Sequence, residues 1–124
     1  MIGVEVSNRS GVEVDEEAAI SVARRVLADE GLGEGELGLA FVGPEEMRTL
    51  KREHLDVDEP TDVLSFPIDG KDPVPEGVPR ALGDVVLCPQ VVGEAWRAPL
   101  VHGLLHLLGY DHGSEMDARE EALA

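Results

Sequence analysis

Three of the four histidines in this chain lie within the short segment HGLLHLLGYDH, which runs from His102 to His112. If the segment is helical, His102 and His106 share one face of the helix, about 6 Å apart along its axis. Gly109 is predicted to end the helix, because glycine takes the left-handed conformation at a helix terminus at little cost. The chain can then bring His112 to the same point. Three neutral imidazoles would bind one metal ion and leave a fourth position for water, which is typical of a catalytic metal site.

The helix that carries these histidines is predicted to be buried, because apolar residues cover nearly every direction around it. A buried imidazole is costly unless it has a ligand or a hydrogen-bond partner. The alternative interpretation is that His102 and His106 are structural residues, held by hydrogen bonds within the core. Three histidines at this spacing, with a glycine before the third, favour the metal site.

The segment is similar to the metzincin pattern H-E-x-x-H-x-x-G-x-x-H in its three histidines and its glycine, which makes it a zincin-like motif. Gly103 stands at the position of the glutamate that serves those proteases as general base. A bound metal can still lower the pKa of a water molecule to about 7 and polarise a phosphoryl oxygen. Metal-assisted phosphodiester hydrolysis therefore fits the segment at least as well as peptide hydrolysis, and a zincin-like metalloprotease remains an alternative.

The composition indicates one globular domain covering residues 1–124, since 43% of the residues are hydrophobic and the chain is too short for two cores. The start of the chain lacks the features of a signal peptide, and no apolar run reaches the length of a membrane span. The single cysteine, Cys88, excludes an internal disulfide. These features predict a cytoplasmic protein without membrane contact. The formal net charge of −16 opposes general nucleic-acid binding and would suit a basic partner.

Hydrophobic periodicity predicts the element order β-α-β-α-β-β-α-α. This order indicates a small α/β (α+β) domain, in which a four-stranded mixed sheet and several helices surround the central apolar metal-binding helix. The strands are predicted at residues 2–6, 36–42, 63–66 and 82–89. The helices are predicted at residues 16–30 with Asp15 as the cap, from Pro44, from Pro99 and at residues 115–123, with a short helix or turn after Pro89.

Three segments resemble, in their order along the chain, those of the YbeY family of bacterial endoribonucleases: PTDVLSFP (60–67), LGDVVLCP (82–89) and HGLLHLLGYDH (102–112). The resemblance implies a zinc-dependent, single-strand-specific endoribonuclease with His102, His106 and His112 as zinc ligands, in which metal-activated water attacks the phosphodiester. Ni²⁺ or Co²⁺ would suit the same ligands. It also implies a role in 16S rRNA 3′-end maturation and ribosome quality control. Ribosomal RNA and a basic small-subunit ribosomal protein are the partners that it suggests.

The chain departs from the family pattern upstream of PTDVLSFP, where His54 and Leu55 stand at the positions of a tyrosine and an arginine. The missing arginine favours an alternative function, that of a zinc-binding ribosome-assembly factor with little nuclease activity. His54 is predicted to be a histidine at the edge of the core, and the alternative for it is a fourth residue of the metal site.

A small cationic cluster of Arg48, Lys51 and Arg52 lies on the helix before PTDVLSFP. These side chains, above all Arg48 and Arg52, are predicted to bind the RNA backbone beside the metal, because backbone binding relies on Lys and Arg. The alternative is an ordinary solvated helix face, since Arg48 and Arg52 form an unfavourable like-charge pair at i, i+4.

Three aspartates near the family motifs are candidates for supporting roles. Asp111 is nearest in sequence to the histidines and is predicted to accept a hydrogen bond from a ligating imidazole. Asp62 and Asp84 are predicted to stabilise turns at the starts of strands, where carboxylates often accept backbone hydrogen bonds.

Overall fold

The fold is that of a computed structural model, which describes residues 2–53, 63–110 and 113–123. The described residues form four strands and five helices. Among these helices, none combines the length and the apolar character that crossing a membrane requires. In chain order the elements are β1 (Ile2–Asn8), α1 (Glu16–Asp29), β2 (Gly35–Phe41), α2 (Pro44–Glu53), β3 (Val63–Pro67), β4 (Ala81–Leu87), α3 (Pro89–Val92), α4 (Arg97–Leu107) and α5 (Ser114–Leu123).

The four strands form one mixed sheet in the order β1-β2-β4-β3. Strands β1, β2 and β4 are parallel, and β3 pairs antiparallel with β4 at the edge. The helices between the parallel strands provide the crossover connections that such pairing needs. The predicted α/β class with a four-stranded mixed sheet is confirmed.

Helix α1 begins and ends where its sequence predicts. The Asp15 side chain accepts a hydrogen bond of 3.1 Å from the backbone N–H of Ala18, and Glu16 and Glu17 occupy the first turn, where the helix dipole favours negative charge. Gly31 follows the C-terminal cap with φ +86°, a conformation that glycine adopts without strain. The N-terminal cap and the glycine stop confirm the predicted helix.

The sheet buries a separate apolar cluster on each face. Alternate residues of a strand point to opposite sides, so Val85 and Leu87 of β4 join α1 and α4 in the larger cluster. Val86 and Cys88 pack instead with Met47 of α2 in the smaller one. Helix α2 therefore lies on the opposite face of the sheet from α1 and α4.

Helix α4 is the central apolar helix of the prediction, and it packs against β3, β4 and α1. It begins at Arg97 rather than at Pro99, so Pro99 is its third residue. Proline is tolerated there because the N–H groups of a first turn have no partner within the helix. The helix ends at Leu107, and Gly109 follows with φ +96° and donates its N–H to the His106 carbonyl at 3.1 Å. The predicted glycine stop is confirmed.

Candidate metal centre

Helix α4 brings His102 and His106 together on one face. Their ring centroids are 4.6 Å apart, and the two rings are close to perpendicular, with an angle of 79°. Both residues are partly buried, while their neighbours Leu104, Leu105 and Leu107 are fully buried in the core. The spacing of four residues in the sequence therefore produces the predicted pair of adjacent imidazoles.

His102 has a carboxylate partner that lies on another helix. Its Nδ1 atom is 2.6 Å from the Oε1 atom of Glu120 on α5, and the two side chains are 17% and 33% exposed. An ionised carboxylate only accepts hydrogen bonds, so a neutral His102 donates from Nδ1 and retains its lone pair on Nε2. Metal-ligating histidines commonly have this arrangement, in which the second ring nitrogen donates to a carboxylate.

Sequence reasoning did not find Glu120. It assigned the carboxylate role to Asp111 because of its proximity in the sequence, whereas Glu120 follows His102 by 18 residues. The signal that could have found it is the spacing of Met116, Glu120 and Leu123, which places the carboxylate on the same helical stripe as two buried apolar residues. Asp111 lies outside the described residues, so its predicted role is untested.

Gly103 is where α4 makes its closest approach to the sheet. A Cβ atom at this position would lie 2.9 Å from methyl groups of Val63 and of Val85, and 3.1 Å from the Ser65 hydroxyl. The Ser65 hydroxyl donates a hydrogen bond of 2.8 Å to the Gly103 carbonyl. The sheet therefore occupies the space that a side chain at this position would need, and the glutamate of a metzincin-type protease would not fit beside the histidines in this packing.

The two described histidines fit a divalent transition metal, since imidazole nitrogens suit Zn²⁺, Ni²⁺ and Co²⁺, and a metal ligand from His102 would have to be Nε2, because Nδ1 contacts Glu120. Within residues 2–53, 63–110 and 113–123, no three His, Cys, Asp or Glu side chains are grouped so as to hold a metal ion. The third predicted ligand, His112, lies outside those ranges, as do His54 and Leu55.

The end of α4 is tied to α1 and α5 through the Glu30 carboxylate, which is only 4% exposed. Tyr110 donates its hydroxyl to Glu30 at 2.7 Å, Arg119 donates its Nε–H to Glu30 at 2.8 Å, and the Lys71 ammonium is 3.5 Å away. Burial raises the pKa of Glu30, but these hydrogen bonds and cationic charges outweigh it and hold the pKa below its ordinary value. The hydrogen bond between the Tyr110 hydroxyl and Glu30 raises the pKa of Tyr110.

The structure places the predicted RNA-binding arginines away from α4. Arg48 and Arg52 are exposed on α2, on the opposite face of the sheet. Another cation lies closer to the histidine pair, since Arg97 lines a cavity of about 290 Å³ together with Glu120. Arg97 was not predicted, because it lies outside the three segments that resemble the family. The role of Arg48 and Arg52 remains a prediction.

Asp84 differs from its predicted position. It lies inside β4, opposite Gly38 of β2 and Phe66 of β3, rather than at the start of a strand. A Cβ atom at Gly38 would lie 1.9 Å from an Asp84 carboxylate oxygen, so the glycine makes room for this exposed carboxylate. The prediction that Asp84 stabilises a turn is therefore wrong. Asp62 lies outside the described residues.

The chain is similar to proteins of one family over nearly its whole length. The sequence profile of the family described as Endoribonuclease YbeY matches residues 5–122. A protein of that name from Mycobacterium ulcerans (strain Agy99) is 39% identical over 99% of this chain and 78% of its own length. Another from Rhodococcus opacus (strain B4) is 42% identical over 96% of this chain and 76% of its own length.

The fold also has a solved counterpart. The solution structure of TM1509 from Thermotoga maritima matches with a TM-score of 0.58 at 24% identity. The match covers 99% of this chain and 86% of that one, so the two proteins share the fold.

Proposed function

Because the chain belongs to the YbeY family of endoribonucleases, we propose that it is a metal-dependent, single-strand-specific endoribonuclease whose substrate is ribosomal RNA. The observation that carries the metal dependence is the His102–Glu120 contact beside His106. A histidine whose Nδ1 donates to a carboxylate, next to a second imidazole one helical turn away, is arranged as a metal ligand. His102, His106 and Glu120 all lie within residues 5–122, the span that matches the family.

The proposed ion is Zn²⁺, and its ligands would be His102, His106 and His112. Ni²⁺ or Co²⁺ could bind to the same nitrogens. An ion at such a site supplies Lewis acidity, which favours ionisation of water and stabilises negative charge on a phosphoryl oxygen. The chain's own residues prepare the site. The Glu120 carboxylate contacts Nδ1 of His102, and the Ser65–Gly103 hydrogen bond fixes α4 against the sheet.

The proposed cellular role is 3′-end maturation of small-subunit rRNA and ribosome quality control. The support for it is family membership and charge. With 26 acidic and 10 basic residues, the chain would repel free polyanions at long range. Binding to a basic small-subunit ribosomal protein would offset this repulsion and deliver the nuclease to its RNA.

One second function is favoured by a specific observation. The resemblance to the family implies an arginine at the position of Leu55, and the absence of a cation beside the reacting phosphate would lower the cleavage rate more than metal binding. The second candidate is therefore a zinc-binding ribosome-assembly factor that cleaves RNA poorly. The packing around Gly103 opposes the third candidate, a metalloprotease, because no space exists for a glutamate base.

The test is a cleavage assay with metal-depleted protein, single-stranded and duplex fragments of small-subunit rRNA, and casein. We expect the protein to cleave the single-stranded RNA only after Zn²⁺ is restored. The His106→Ala variant should not cleave the RNA, and casein should not be cleaved. Zinc binding with rRNA binding but without cleavage would favour the assembly factor, and casein hydrolysis would overturn the assignment to RNA.

A further inference from the structure

Helix α5 carries an acidic residue in the middle of its buried stripe. Met116 and Leu123 are 1% and 3% exposed and belong to the main core. Glu120 is four residues after Met116 and three before Leu123, so the three side chains lie on one face of the helix. Leucine or methionine is the ordinary residue at such a position, since apolar stripes are what attach surface helices to a core.

The Glu120 side chain is 33% exposed, so its carboxylate has lost part of its contact with water, and a hydrogen-bond partner offsets that loss. Its partner is His102, at 2.6 Å, rather than a lysine or arginine. If the contact served stability alone, a permanently charged cation would be a suitable partner. Arg119 of α5 is such a partner for Glu30 at the end of α1. The partner of Glu120 is instead an imidazole, and the ring of His106 lies 4.6 Å from that of His102. This combination indicates that Glu120 orients His102.

The residue before Glu120 attaches α5 to the rest of the fold. Arg119 contacts Glu30 through two nitrogens, Nε at 2.8 Å and Nη2 at 2.5 Å, and Glu30 also accepts the Tyr110 hydroxyl at 2.7 Å. These contacts attach α5 to the C-terminal ends of α1 and α4. The next residue, Glu120, contacts α4, with its Oε1 atom 2.6 Å from Nδ1 of His102.

We infer that Glu120 is a positioning residue of the metal centre, which holds the proton of His102 on Nδ1 and orients the ring so that Nε2 is presented to the metal. Helix α5 is then part of the metal site, although it supplies no ligand. This inference rests on the proposed metal function and adds a residue that the histidine motif does not contain.

The test compares Glu120→Gln, Glu120→Leu and a control, Glu121→Gln, which removes a neighbouring exposed carboxylate from the same helix. Zinc affinity is measured by competition with a chelator, thermal unfolding is measured on the metal-free protein, and the tautomer of His102 is read from nitrogen chemical shifts. We expect the zinc affinity of Glu120→Leu to fall about 10- to 100-fold. Glu120→Gln, which can still accept from Nδ1, should lose less, and Glu121→Gln should match the original protein.

The stability of the metal-free variants separates positioning from a structural role. Leucine completes the apolar stripe of α5, so the Glu120→Leu protein should unfold at the same temperature as the original protein or higher, although its zinc affinity is lower. The His102 spectrum should show the proton on Nδ1 in the original protein and a mixture of tautomers in Glu120→Leu.

Two results would overturn the inference: unchanged zinc affinity in Glu120→Leu, or an original protein in which His102 does not carry its proton on Nδ1. If the leucine variant does not fold, Glu120→Gln and the spectrum of the original protein decide the same question. Failure of the original protein to bind any zinc would refute the proposed metal function, and the tautomer of His102 in the metal-free protein would still decide the role of Glu120.

Discussion

The hydroxyl of Ser65 donates a hydrogen bond of 2.8 Å to the carbonyl of Gly103, and this contact joins the edge strand β3 to the histidine helix α4. It exists because Gly103 has no side chain to hold the helix and the strand apart. The histidines are therefore positioned by a close helix–sheet contact as well as by the helix itself.

A Gly103→Ala substitution should destabilise the protein. Helix propensity favours alanine by about 1 kcal/mol, but the new methyl group would lie 2.9 Å from two valine side chains, which are stiff. Overpacking of this kind costs about 1–3 kcal/mol, so we expect a net loss that urea unfolding of the metal-free protein would measure. Gly33→Ala is the control, since nothing lies within 4 Å of its Cβ position. Equal effects of the two substitutions would show that α4 is not tightly packed at Gly103.

Removal of the Glu30 charge should change how stability depends on pH. The native pKa of Glu30 is below its ordinary value of 4.5, so its contribution is fully present above that value and is lost as the pH falls through the native pKa. We therefore expect Glu30→Gln to be less stable than the original protein by about 1–2 kcal/mol at neutral pH. The difference should shrink as the pH falls below 4.5.

The measurement for Glu30 is chemical unfolding at a series of pH values, with Glu76→Gln as a control for an exposed loop carboxylate. A stability difference that stays constant from neutral to acidic pH would show that the Glu30 carboxylate is not stabilised by Tyr110 and Arg119 in the folded protein.

Metal analysis should find one divalent ion per chain after zinc reconstitution at neutral pH, because the histidine motif supplies one three-nitrogen site. His102→Ala and His106→Ala should each lower the metal content and weaken the binding of zinc. His54→Ala should retain the ion if His54 is a residue of the core edge. Loss of metal from His54→Ala would instead identify a fourth ligand.

RNA binding should distinguish the cations of α2 from Arg97. If Arg48 and Arg52 contact the RNA backbone, the Arg48→Glu, Arg52→Glu double variant should bind more weakly, and the salt dependence should flatten by about 0.7 in log–log slope for each lost contact with a single strand. Arg97→Glu tests the cation beside Glu120 in the same assay. A double variant with unchanged affinity, cleavage and salt dependence would exclude α2 as the RNA surface.

The elements that hold the site were predictable because local signals define them. Asp15 marks the start of α1 and Gly31 its end, and Gly109 ends the histidine helix. These signals are predictable because caps and glycine stops depend only on the nearby backbone. The pairing of His102 with His106 follows from helical spacing alone.

Contacts between distant segments were not predictable in the same way. The apolar stripe of α5 consists of only two buried residues, Met116 and Leu123, so its sequence does not indicate which helix it packs against, and the contact of Glu120 with His102 depends on docking against α4. The role of Asp84 was missed because it was placed at the start of a strand predicted from residue 82, whereas β4 begins at Ala81 and Asp84 is paired with β2 and β3. Arg97 was missed because it lies outside the three segments that resemble the family, and its place beside Glu120 depends on the docking of α5 against α4.

The attachment of α5 through Arg119 and Glu30 has a consequence for the order of events during synthesis. The ribosome releases α1 and the sheet first, but a domain generally folds as a unit, so its last contacts form only after its last helix has emerged. Helix α5 follows the histidine motif in the chain, so His102 would be made before its carboxylate partner. If Glu120 orients His102 as inferred above, the proposed metal site would be complete only after α5 has emerged and docked.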